Sequence, residues 1–181
     1  MSTWQRRSTR TAYENPWIRV REDEVVRPDG TEGIYGVVEV RHPAVFVVAL
    51  TEDEEVVLVE VDRYTTGDPR SLEVPAGSTD GEDPLDAARR ELREETGLVA
   101  EDWQEIGRTR GLVGVADAPQ VVYLARGLSY AGGEDHLADG IVGMHRLPFA
   151  EVLSRAGRGE ITDEASLACL LLALLARGGA G

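Results

Sequence analysis

Residues 72–98 leave the chain few ways to fold locally. Leu72-Glu73-Val74 reads as a short strand, residues 75–82 as a Gly-rich loop, and residues 83–97 as a helix with a glycine stop. Asp83 is a good N-cap, and Pro84 stands in the first turn, where a missing N–H is tolerated. Gly97 suits the position just past the helix end. At about 100° per residue, Leu85, Ala88 and Leu92 fall on one stripe, the face that packs inward.

Glu91, Glu94 and Glu95 fall on a neighbouring stripe, spaced i, i+3 and i+4. That is a poor place for three carboxylates. Like charges at these spacings cost a few tenths of a kcal/mol each. The last turn of a helix favours cations, by roughly 0.3–1 kcal/mol per charge. Arg90 offsets part of the repulsion through Glu94. A solvated acidic face is the ordinary explanation for charged helix residues, but these acids gather on one edge at the unfavourable end. The pattern favours a hard divalent cation, Mg²⁺ or Mn²⁺, which takes carboxylate oxygens and leaves positions for water or phosphate.

Charge and composition narrow the function further. The formal net charge of −14 repels phosphodiester backbones and anionic membranes, so neither nucleic acid nor a membrane is an expected partner. A small polyanionic substrate reaching an acidic site then needs a cation. All 19 basic residues are arginine, which excludes Schiff-base chemistry and a Walker-type phosphate loop, both of which need lysine. The single cysteine, Cys169, lies in an apolar helical run and reads as core. The N-terminus has no charged-apolar-small leader pattern, and the apolar run at residues 165–176 is too short to span a bilayer. The expected location is the cytoplasm.

Along the chain, residues 1 to about 15 read as a loose, Arg-rich arm. Residues 17–21 and 24–27 suggest strand, Pro28-Asp29-Gly30 a turn, and residues 33–40 a returning strand, so the first 40 residues form a hairpin. Further strands are expected at 44–50, 55–62, 103–110, 120–126 and 141–146, with helices at 149–156 and 163–176. At 181 residues the chain is most simply one compact body. Within it, residues 1–40 are the arm and hairpin and residues 41–181 the catalytic part. Strands first, one helix in the middle and two at the end predict an α/β fold, with helices on both faces of a mixed sheet.

The string Arg90-Glu91-Leu92-Arg93-Glu94-Glu95-Thr96-Gly97-Leu98, with Glu82 seven residues upstream and Glu73-Val74-Pro75-Ala76-Gly77 before it, resembles the Nudix hydrolases. One departure is local: four residues separate Gly77 from Glu82, one fewer than the family pattern. The likeness extends over roughly residues 17–176. The hairpin, Arg63-Tyr64 at a strand end, and Gly159-Glu160-Ile161-Thr162-Asp163 before the last helix are similar to the ADP-ribose pyrophosphatase branch.

The resemblance implies a Nudix α/β/α sandwich. It also implies Mg²⁺-dependent, or Mn²⁺-dependent, hydrolysis of a nucleoside diphosphate linked to a second moiety X. ADP-ribose, cleaved to AMP and ribose 5-phosphate, is the leading substrate. By carry-over, Glu91 and Glu95 are principal metal ligands, with Glu94 beside them and the Ala76 carbonyl as a further ligand. Glu82 supports the cluster, and Arg90 orients a glutamate. Arg63 matches an arginine that grips substrate phosphates, and Glu73 a substrate-side acid. The general base stays open among Asp139, Glu134 and Glu94, because the expected glutamate position in the loop 132–140 holds Ala138 or Gly140. Neither His136 nor His145 is marked as catalytic. The loop 111–120 lacks the Pro-Gly and closing Glu common in that branch, which leaves X open. Other sugar nucleotides, dinucleotides and oxidised nucleotides are the alternatives, as is a Nudix-like sensor that binds without turnover. The hairpin's apolar side, and its place in the branch, imply a homodimer.

Overall fold

A computed structural model describes residues 3–132 and 140–178. Its elements, in order, are β1 (Gln5–Glu14), β2 (Ile18–Val26), β3 (Glu32–Val40), β4 (Ala44–Ala49), β5 (Glu55–Arg63), β6 (Asp68–Glu73), β7 (Ala76–Ser78), α1 (Pro84–Thr96), β8 (Leu98–Arg110), β9 (Ala116–Asp117), β10 (Pro119–Tyr130), β11 (Ile141–Pro148), α2 (Phe149–Gly157) and α3 (Glu164–Gly178). Three sheets result, ordered β1-β2-β3-β9, β7-β4-β10-β8 and β11-β5-β6. The central sheet is mixed: β4 runs parallel to β10, while β7 and β8 run antiparallel to their neighbours.

Alternation along β4 and β10 decides what each face of the central sheet buries. Val45, Val47, Ala49, Val121, Tyr123 and Ala125 pack against Ala87, Ala88 and Leu92 of α1. Val48, Leu50, Val122 and Leu124 point the other way, into a core shared with Phe149 and Val152 of α2 and with Cys169, Leu170 and Ala173 of α3. Because side chains alternate across a strand, a sheet covered on both faces needs strands that are apolar at every position. That is why residues 44–50 contain no polar residue. Among the described residues no helix is long and apolar enough to cross a membrane.

The N-terminal segment departs from the expectation of a loose arm. Gln5–Glu14 is a ten-residue strand, exposed along its whole length, that pairs antiparallel with β2. No apolar stripe drives it. Its polar side chains meet complementary ones across the ladder: Arg10 donates to Glu22 at 2.7 Å and Ser8 to Glu24 at 2.8 Å. The hairpin expected within the first 40 residues is β2–β3, turning through residues 27–31, so the unit is three-stranded.

Candidate active site

α1 is built as its ends predict. The Asp83 carboxylate accepts from the Leu85 N–H at 2.9 Å, and Gly97, at φ 68°, donates its N–H to the Arg93 carbonyl at 2.8 Å. The helix buries Leu92 completely, and its neighbouring edge carries Glu91 and Glu95 inward, both under one-tenth exposed. Glu94, one turn outward from Arg90, remains partly exposed.

The strand facing this edge was read as part of a loop. Ala76–Ser78 is instead a short strand, β7, paired with Ala44, Val45 and Phe46 of β4. It brings the chain against the acids of α1. The Ala76 N–H donates to Glu95 Oε2 at 3.0 Å. A Cβ on Gly77 would lie 2.1 Å from the Glu91 carboxyl carbon, so glycine is required for the carboxylate to rest where it does. Ala76, Glu91 and Glu95 are thus brought together.

Arg90 ties the rest of the cluster. Its Nη1 donates to Glu91 at 2.8 Å and to Glu94 at 2.9 Å, its Nη2 to the Ser78 carbonyl at 2.9 Å, and its Nε to Glu82 at 3.2 Å. Partial burial works against its charge, yet the bonds it donates to Glu94, Glu91 and Glu82 outweigh that and hold the guanidinium above its ordinary value. This one cation offsets the repulsion among the three helix acids. Among the described residues no group of three or more His, Cys, Asp or Glu side chains forms a ready metal cage; Glu91 is bonded by Arg90 and Glu95 by the Ala76 N–H. The donor set nevertheless suits a hard divalent cation: carboxylates, a strand-end carbonyl, and a glycine whose missing side chain lets the Glu91 carboxylate lie against the strand.

A cleft of about 530 Å³ opens beside this cluster, reaching it at Ala76 and Gly77. Arg63 and Glu73 both line the cleft and pair with each other, Nε to Oε1 at 2.8 Å and Nη2 to Oε2 at 2.5 Å. The bidentate bond to buried Glu73, aided by Asp163 and Glu95, raises the Arg63 guanidinium above its usual value against the opposing effect of burial. The two residues expected to meet substrate separately therefore form one unit, with Glu73 fixing the arginine. Asp139, Glu134 and His136 lie outside the described residues. His145 sits on β11, near Glu60 and away from the cleft.

Sequence reasoning missed part of the wall. Thr65 and Thr66 come from the turn between β5 and β6, Asp68 from the start of β6, and Thr162, Asp163 and Glu164 from the entry of α3. Asp163 caps the helix it opens, its carboxylate accepting the Ser166 N–H at 2.7 Å. Residues 65–69 read in the sequence only as a break between strands, with nothing to place them at the cleft, and nothing marked the Ser78 carbonyl that Arg90 binds.

Two family models match the chain: a nucleoside diphosphate sugar hydrolase N-terminal domain over residues 4–38, and a NUDIX domain over residues 40–164. An ADP-ribose pyrophosphatase of Mycobacterium tuberculosis is 37% identical over 167 residues, 91% of this chain and 80% of that protein. A methanol dehydrogenase activator of Bacillus methanolicus is 35% identical over 123 residues, 67% of this chain and 65% of that protein. The crystal structure of an ADP compounds hydrolase superposes with a TM-score of 0.87 at 18% identity, covering 100% of this chain and 97% of that one, which is a likeness of fold.

Proposed function

Because the chain belongs to the Nudix family, we propose that it hydrolyses ADP-ribose to AMP and ribose 5-phosphate with a divalent cation, Mg²⁺ or Mn²⁺. The observation that carries this reading is the convergence of buried Glu91 and Glu95 on the Ala76–Gly77 strand, at the edge of a cleft holding a fixed arginine. Glu91, Glu95 and the Ala76 carbonyl would hold the metal, with Glu94 alongside. Bound there, the cation would supply charge neutralisation at the pyrophosphate oxygens. Arg63, held by Glu73, binds a phosphate oxygen and orients the pyrophosphate. Arg90 keeps the carboxylates apart and aimed until the substrate arrives.

Water attacks one phosphorus, a new P–O bond forms, the bridging P–O bond breaks, and two monoesters leave. The proton from the water passes to a carboxylate. Glu94 is the candidate on α1, and Asp139 the candidate in the loop before β11.

The match of residues 4–38 to a nucleoside diphosphate sugar hydrolase segment supports a second substrate class, other sugar nucleotides. We also propose that the protein is cytoplasmic, that residues 1–40 act as a unit distinct from the catalytic part, and that this unit makes a homodimer. The dimer is supported by the large side chains this unit exposes, Tyr13, Trp17 and Ile34.

The test is incubation with ADP-ribose and Mg²⁺, resolving products by mass beside a chelated control. AMP and ribose 5-phosphate only with metal supports the reading. Silence toward ADP-ribose with turnover of another sugar nucleotide moves the substrate. Nucleotide binding without turnover of any member of the panel makes the protein a sensor.

A further inference from the structure

The chain changes sheets between Glu73 and Ala76. β6 ends at Glu73 in the sheet with β5, and β7 begins at Ala76 against β4. A strand that leaves one ladder for another strips its backbone groups of partners, and buried groups so stripped cost about 1–3 kcal/mol each. Pro75 has no N–H to satisfy, and three of the remaining groups find partners away from both ladders. Each is taken by a different element. The Pro75 carbonyl accepts from Val47 of β4 at 2.8 Å, and the Ala76 N–H donates to Glu95 of α1 at 3.0 Å. The Val74 N–H donates to Ser166 Oγ of α3 at 3.0 Å, across 92 residues of sequence.

Ser166 is fully buried, although it lies in the otherwise apolar run 165–176 of α3. Its own N–H is capped by Asp163, a wall of the cleft. Its hydroxyl therefore fixes α3 to the point where the substrate arginine's partner, Glu73, passes into the strand that faces the metal acids.

We propose that Ser166 is a positioning residue for the divalent-cation site. It acts through Val74 to hold Ala76 and Gly77 against Glu95 and Glu91, and it touches neither substrate nor metal. The inference rests on the metal-dependent reading above, and adds α3 to the elements that set the site's geometry. Residues that orient a ligand set typically carry a 10- to 100-fold effect on metal affinity or activity.

The experiment is a Mn²⁺ titration of substrate-free protein, followed by the paramagnetic resonance of the free ion, together with kcat and KM for ADP-ribose. Wild type is compared with Ser166→Ala, Ser166→Cys, Ser166→Thr and Cys169→Ala. Cys169 is buried on the same helix and serves as the stability control. Ser166→Ala is expected to weaken Mn²⁺ binding about tenfold or more and to lower kcat with little change in KM. Ser166→Cys keeps nearly the same volume with a weak acceptor, so it should fall between and report even where the alanine variant folds poorly. Ser166→Thr, which keeps the hydroxyl, should recover Mn²⁺ affinity. Cys169→Ala should lose stability and keep its affinity. Wild-type affinity in Ser166→Ala or Ser166→Cys overturns the proposal. So does an equal loss in Cys169→Ala, since the effect would then be general softening of α3. A wild-type protein that neither binds Mn²⁺ nor turns over any nucleotide overturns the metal-dependent reading itself.

Discussion

Gly77→Ala separates the proposed metal-binding role of the Glu91 carboxylate from its structural one. The added Cβ would stand 2.1 Å from Glu91 Cδ and Oε1 and 2.5 Å from Oε2. Carbon atoms pack best at about 3.5–4.0 Å, so the carboxylate must withdraw by about 1.4 Å. The obstructing atoms are the far end of a flexible side chain, and Gly77 sits in an ordinary extended strand with a backbone open to alanine. Folding therefore costs little more than a displaced rotamer, about 0.5–1.5 kcal/mol, or a few degrees in Tm for a chain of this length. Catalysis suffers more, because misplacing a working group by about 1 Å costs on the order of 100-fold, about 2.7 kcal/mol of transition-state stabilisation. The assay is kcat/KM for ADP-ribose under saturating Mg²⁺, set beside a thermal melt, with Gly36→Ala on β3 as the control because its Cβ meets nothing within 4 Å. The expected result is a fall of about 100-fold in kcat/KM with a melt close to wild type. Activity within about twofold of wild type would refute the placement of Glu91 at the reacting centre. A loss explained wholly by unfolding would refute the argument that the side chain yields before the backbone does.

Glu95→Gln keeps an oxygen for the Ala76 N–H, so the fold should persist, while kcat drops by at least about 10²–10³-fold; wild-type rates in a folded mutant would remove the metal-helix assignment. Glu54 is held below the usual carboxylate range first by the hydrogen bond from Arg126, and also by Arg177. A depressed folded value means that its contribution is present above the unfolded value of about 4.3 and is lost as pH falls through the lower folded one. The side chain is partly exposed, so Glu54→Gln should cost only a few tenths of a kcal/mol at pH 7, with the difference from wild type vanishing in acid urea melts. Burial pushes the Cys169 thiol up to about 12, so alkylation by iodoacetamide at pH 8 should proceed only at the rate of unfolding; rapid labelling of folded protein would contradict its place in the core. Light scattering at micromolar concentration should give twice 19.7 kDa, and a monomer would end the dimer proposal.

The helix at the centre of the site was legible because its signals are local. A cap, a first-turn proline, a stripe at helical spacing and a terminal glycine all lie within fifteen residues, and the folded chain realises them at Asp83, Pro84 and Gly97. The double-sided core was legible for a similar reason, since unbroken apolar runs at 44–50 admit few other uses. β1 was not legible, because hydrophobic alternation is the usual strand signal and all ten of its residues are exposed. What holds it is pairing with acids on β2, a pattern visible only once the two segments are known to be neighbours. β7 failed for a related reason. Ala-Gly-Ser carries no strand preference, and its geometry comes from the edge of β4.

The site shows the same division between local and distant causes. Arg63 and Glu73 were each assigned to the substrate side by resemblance, as separate residues, yet the bidentate bond between them comes from the pairing of β5 with β6. Ser166 makes the case most sharply. A serine inside the run 165–176 reads as an interruption of an apolar stretch, and buried hydroxyls are almost always hydrogen-bonded, so a partner could have been inferred. Which partner could not be, because the donor is a backbone N–H that becomes available only where the chain changes sheets 92 residues earlier. Side-chain chemistry is written locally, whereas vacancies in backbone pairing are created by topology. Glu95 was marked by its own stripe, but the bonds that fill such vacancies, Ser166 with Val74 and Glu95 with Ala76, are therefore what a single sequence conceals.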